Sequence, residues 1–195
     1  MTCNTGLVIT PGKTFDYAWR WAEPRLAYKT ITAATRAAPC VLTVPGHGLT
    51  DGWPFRIESV TVPLELNSPK EDETACYIPT VLDPDTLELE SLNTLELKAF
   101  SGSGAIVYFK PADLTGLKGR INFLRSAGAE PVTTLTSDDG AITVEVETAT
   151  VGLFLGALVT KTLGIRQGFY EVEVFDPANP ELVFLVAHGS VTVGA

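Results

Sequence analysis

The chain has 195 residues, 45% of them hydrophobic and 9% aromatic, enough apolar material for a core in one large or two small domains, which excludes disorder over most of the length. Its 23 acidic against 14 basic residues leave a net charge of −9 with no dense Lys/Arg cluster. That balance argues against nucleic acid, whose affinity comes mainly from phosphate neutralisation, and against an anionic membrane surface.

Cys3, Cys40 and Cys76 are an odd number without close spacing, so neither a zinc site nor a disulfide framework is read and free thiols are expected. The first residues lack the basic and apolar regions of a signal peptide, and no apolar run approaches the roughly 20 residues that span a bilayer. The expectation is a soluble protein made in the cytoplasm.

In chain order, Leu7 to Thr10 reads as a strand broken by Pro11-Gly12. Phe15, Tyr17, Trp19 and Trp21 then fall on alternate positions, which puts four aromatics on one face of a strand that Glu23-Pro24 is expected to end. Short strands are predicted at Cys40 to Val44, Pro54 to Val60, Tyr77 to Leu82, Thr86 to Leu92 and Ala105 to Phe109. Leu82-Asp83-Pro84-Asp85-Thr86 supplies the residues of a tight turn between two of them, whereas 66–73 and 101–104 read as exposed loops.

From Lys110 the alternation is cleaner. Ile121 and Phe123 alternate with Arg120 and Asn122, Ile142 and Val144 with Thr143 and Glu145, and Tyr170, Val172 and Val174 with Glu171 and Glu173. These are strands with one buried and one wet face, as in an antiparallel sandwich. Leu182 to Ala187 differs because it is apolar on both faces, so another subunit or the neighbouring domain is expected to cover one side. Gly189 is read as a bulge, and one or two helical turns are placed around Leu158 to Ile165.

These textures predict an all-β protein. An antiparallel sandwich is assigned to residues 1–28 with 109–195, and a second small, barrel-like β domain, residues 29–108, is inserted after its first strands.

Catalytic chemistry finds little support in the residues. Pro11-Gly12-Lys13-Thr14 resembles the end of a phosphate loop, but Gly6 and Gly12 are separated by five residues and no helix pattern follows. His47, between Gly46 and Gly48, reads as a hydrogen-bonded turn residue, and two histidines in the whole chain rule out a multi-histidine site. His188-Gly189-Ser190 is not a nucleophile elbow. Acidic pairs such as Asp83 with Asp85, or Asp138 with Asp139, lack calcium-loop spacing, and no cleft marks a glycosidase pair. No catalytic residue, cofactor or metal is assigned.

Two resemblances cover most of the chain. Ile31-Thr32-Ala33-Ala34-Thr35, the run Val41-Leu42-Thr43-Val44-Pro45-Gly46-His47-Gly48-Leu49-Thr50-Asp51-Gly52 and the later Val81-Leu82-Asp83-Pro84-Asp85-Thr86-Leu87-Glu88-Leu89 resemble a module of tailed-bacteriophage proteins. That module is related to the first-catalytic-cysteine-half (FCCH) β domain of ubiquitin-activating enzymes. The flanks, through Gly12-Lys13-Thr14-Phe15, Trp19-Arg20-Trp21, Asp113-Leu114-Thr115-Gly116, Gly168-Phe169-Tyr170-Glu171-Val172-Glu173-Val174 and Ala187-His188-Gly189-Ser190-Val191-Thr192-Val193, resemble a second phage pattern. The resemblance implies a virion structural protein with an immunoglobulin-like sandwich and no ubiquitin chemistry.

The expected function is therefore non-enzymatic. The chain is read as a virion component, assembled in the host bacterial cytoplasm, that mediates contacts in the tail or head-to-tail region, a fibre adaptor being one form of that role. The expected partners are other virion proteins and further copies of the chain, with no nucleic acid and no membrane. A capsid decoration protein is the near alternative. A carbohydrate-binding domain using Trp19, Trp21 or Trp53 as stacking surfaces is the distant one. The interface candidates are Trp53, Phe55, Leu182, Phe184 and Val186.

Overall fold

The structure is a computed structural model that describes residues 3–4, 6–72 and 74–194, with the backbone alone for Cys3 and Asn4. In chain order its strands are β1 (Cys3–Asn4), β2 (Leu7–Ile9), β3 (Phe15–Arg20), β4 (Ala22–Thr30), β5 (Ala33–Ala34), β6 (Cys40–Thr43), β7 (Arg56–Glu58), β8 (Thr80–Asp83) and β9 (Thr86–Leu89). They continue as β10 (Ala105–Pro111), β11 (Lys118–Leu124), β12 (Pro131–Thr136), β13 (Ile142–Glu145), β14 (Thr150–Leu155), β15 (Gln167–Asp176) and β16 (Asn179–Val193). A 3₁₀ turn at Leu64–Leu66 and the six-residue α1 (Ala157–Thr162) complete the described elements, so the fold is all-β. No described helix is long and apolar enough to cross a membrane.

The chain divides into two compact units, Met1–Ala22 with Ala112–Ala195, and Glu23–Pro111. The division falls at Ala22/Glu23 and Pro111/Ala112 rather than at 28/29 and 108/109, because β4 is already inside the second unit from Glu23 and β10 stays in it through Pro111. Glu23-Pro24 does not end a strand either. Pro24 lies within β4, the edge strand of a sheet ordered β4-β10-β7, where a residue without an N–H leaves the ladder with its neighbour intact.

In the first unit one sheet runs β1-β16-β15-β11-β12, with β2 also on β16, and a second runs β13-β14-β3. The inward residues of both sheets form one core, which explains the alternation in the sequence. Tyr170, Val172 and Val174 of β15 and Ile121 and Phe123 of β11 meet Trp19 of β3 and Val151, Leu153 and Leu155 of β14. Of the aromatic stripe only Trp19 is sealed; Phe15, Tyr17 and Trp21 are half-buried against that core. Gly119 lets β11 approach β13, since a Cβ there would collide with the Ile142 side chain.

The bulge of β16 is not at Gly189, which stays in register opposite Tyr170. It lies at Val186, because Val172 pairs with Ala187 while the next residue, Glu173, pairs with Leu185. One extra residue on β16 turns both Val186 and Ala187 toward the core.

The second unit holds the β4-β10-β7 sheet and another ordered β5-β6-β9-β8. Its buried side chains include Leu42, Phe55, Ile57, Leu87, Leu89 and Ile106. The predicted hairpin is present, with β8 and β9 paired antiparallel across Pro84-Asp85. Cys40 is buried and Cys76 exposed, both as free thiols; the Cys3 side chain and Glu73 lie outside the described residues.

Candidate functional site

The glycine-rich loop after β6 is clasped to the β8–β9 hairpin. Val44 N donates to Asp85 O at 2.7 Å, Gly46 N to Asp85 Oδ1 at 2.8 Å, and Val81 N to Asp51 Oδ1 at 2.9 Å. His47 sits at the centre, 1% exposed. Its Nδ1 accepts from Leu49 N at 3.0 Å, so Nε2 carries the hydrogen and donates to Asp83 O, also at 3.0 Å. The Tyr108 hydroxyl donates to His47 O. Gly46 and Gly48 hold positive φ of 58° and 65° on either side, a region that a side chain would strain.

Asp83 is anchored in turn. Its Oδ1 accepts from Asp85 N at 2.8 Å and its Oδ2 from the Thr86 hydroxyl at 2.6 Å, and these bonds hold its carboxyl below the usual range. Burial pushes the Tyr108 phenol up. His47 is thus held by backbone partners and Asp83 by the Asp85 amide and the Thr86 hydroxyl, while the buried Thr50 hydroxyl of the same loop has no hydrogen-bond partner among the described residues. The bonds to Asp83 and Asp85 and from Asp51 make the loop a latch on the hairpin.

Two interface candidates follow that loop in the chain, and both are buried. Trp53 is 3% exposed with its Nε1 donating to Phe109 O at 2.8 Å, and Phe55 is 1% exposed against Tyr77. Neither offers a surface. Val186, at 1%, is likewise core, turned inward by the bulge. With Trp19 also at 3%, Trp21 is the one of the three tryptophans considered for sugar stacking that keeps some exposure, and it is half-buried and packs on Phe184 at 5.4 Å between centroids.

Leu182 and Phe184 remain, and the structure adds two residues to them. Leu182, Val183, Phe184 and Leu185 are four consecutive apolar residues of β16, each 38–43% exposed. Phe184 opposes Val174 of the inner face, and Leu182 shares its side. Val183 opposes Phe175, and Leu185 opposes Glu173, on the outer side. Sequence reasoning took only the alternate residues of the run, although Val183 and Leu185 stood in it.

The edge of this segment is open as well. On the side of β16 away from β15, β1 pairs at Ala187 and His188 and β2 at Val191 to Val193. Among the described residues no strand pairs with that side from Asn179 to Val186. Fully burying a Val, Leu or Phe is worth about 1.5–3 kcal/mol, so the exposed portions of these four are worth on the order of 3 kcal/mol together. A micromolar contact requires about 8 kcal/mol. The side chains alone fall short, and the unpaired backbone of the edge is the remaining local source of affinity.

A groove of about 320 Å3 lies in the first unit, lined by Pro11, Thr160, Lys161, Gly164, Arg166 and Val193 among others. Among the described residues no three His, Cys, Asp or Glu side chains converge on a metal position.

Fold and surface together define an all-β protein of two compact units with one apolar, open-edged hairpin. Neither a protein-family model nor a curated protein sequence matches the chain.

Proposed function

We propose that this chain is a non-enzymatic structural protein of a tailed-bacteriophage virion, assembled in the host cytoplasm and making protein contacts in the tail or head-to-tail region. The first unit is read as an immunoglobulin-like sandwich and the second as an FCCH-like, barrel-like insert. Both readings rest on the motif resemblances. The latch between the His47 loop and the Asp83 hairpin supports the second, because it gives the two quoted motifs one shared structural task.

The observation that carries the assembly reading is the exposed run Leu182 to Leu185 on an open strand edge. Isolated proteins avoid such an edge unless a partner covers it. Glycan stacking is disfavoured by the burial of Trp19 and Trp53.

An imaging reconstruction of the virion tests the proposal. Density for both units at the tail or the connector, with a neighbouring subunit on Leu182 to Leu185, is the expected result. Density on the capsid lattice makes the protein a decoration protein instead. Absence from the particle, or a bare hairpin within it, refutes the assembly role.

A further inference from the structure

We propose that the open edge of β16 between Glu181 and Val186 takes up an extended strand of a partner protein, apolar at alternate positions and carrying Lys or Arg at the end beside the Asp176–Glu181 turn. This inference rests on the assembly reading and names the partner's chemistry.

Three observations select a strand. The outer edge of β16 already accepts the short parallel strands β1 and β2 further along, so its geometry suits pairing on that side. The unpaired stretch is apolar on both faces, so an added strand gains cover for its side chains above and below the sheet. Pro180 lacks an N–H and ends the usable ladder at Glu181.

Charge selects the flank. Asp176 Oδ1 accepts a turn amide, from Ala178 at 2.8 Å, Glu181 is exposed beside it, and among the described residues no Lys or Arg pairs with either. The two cations of neighbouring β11 are committed elsewhere, Lys118 to Asp138 at 2.7 Å and Arg120 to Glu173 at 2.6 Å. The turn is thus an uncompensated acidic end on an apolar edge, and a basic flank complements it. A second copy would bring a chain of the same net charge, −9, to the same place.

Two capped synthetic peptides test this against the whole protein at low salt: Lys-Val-Thr-Val-Thr-Ile-Lys and its counterpart with Glu at both ends. Amide exchange between Glu181 and Val186 is expected to slow on the order of tenfold at about 1 mM basic peptide. The acidic peptide is expected to bind on the order of tenfold more weakly, with added salt or the D176N/E181Q variant narrowing the gap. No protection from either peptide, equal protection from both, or self-association of the chain through this edge overturns the proposal. None of those outcomes bears on whether the chain is found in the particle, so the assembly reading stands or falls separately.

Discussion

Gly12 and Thr160, 148 positions apart, are joined by a bond of 3.1 Å from the Gly12 amide to the Thr160 hydroxyl. The same hydroxyl faces Lys13 O at 2.8 Å and Ala157 O at 3.0 Å, and Thr160 is fully buried. One side chain on α1 therefore fixes the Pro11-Gly12 turn whose sequence resembles a phosphate loop. Thr160→Val keeps the shape, removes the hydroxyl and orphans a backbone amide, at an expected cost of about 1–3 kcal/mol in urea unfolding. Thr160→Ser should restore most of it. A valine variant as stable as the parent contradicts the assignment.

Trp19 makes the opposite case. It is buried in the sandwich core near Tyr170, at 5.8 Å between centroids, and among the described residues its Nε1 has no hydrogen-bond partner. An unpartnered buried N–H is a cost. Trp19→Phe removes that cost along with some packing and is expected to lose less than about 1.5 kcal/mol, whereas Trp19→Ala should lose about 3–5 kcal/mol. Thermal or chemical denaturation separates the two.

The sequence was legible where a strand has one wet and one buried face. Tyr170, Val172 and Val174 against Glu171 and Glu173 gave β15 its place and its inner face. It misled at edges and long-range contacts. β4 escaped notice because Glu-Pro reads as a terminator, yet an edge strand has no use for the missing N–H on its open side. The threonine-rich β12 is also an edge and carries little alternation, and Gly152 interrupts the pattern of β14. Trp53 and Phe55 looked like a loop tip because their partners, Phe109 and Tyr77, come from remote positions. The open hairpin was half visible. Its apolar run could be read, but the bulge that buries Val186 depends on the register with β15.

Ser59 adopts a positive φ of 58°, where an L side chain is strained. Ser59→Gly relieves that strain and is expected to stabilise the second unit by up to about 1 kcal/mol, after offset by the freer unfolded chain. Ser59→Val should destabilise it by about 1 kcal/mol or more. A melting temperature that falls with glycine and rises with valine contradicts the backbone assignment.

Asp83 gives the second unit an acid sensitivity with a defined sign. Its folded carboxyl lies below the ordinary range, first through the Thr86 hydroxyl and then through the Asp85 amide. Its contribution is therefore present above the unfolded value, about pH 4, and is lost as pH falls through the folded value. Asp83→Ala should be less stable than the parent at neutral pH, with the difference shrinking on acidification below about pH 4. A difference that is constant with pH excludes the carboxylate as its source.

The most direct measurement of the central claim is incorporation of a Val183→Lys/Leu185→Lys variant into particles, quantified beside the parent protein. Both substituted side chains are 38–39% exposed on the outer side of the sheet, so the isolated fold should survive, as an unchanged melting curve will verify. The account predicts particles that carry the parent chain and lose the variant on the order of tenfold, the factor that about 1.4 kcal/mol of lost contact produces. A folded variant incorporated as well as the parent contradicts it.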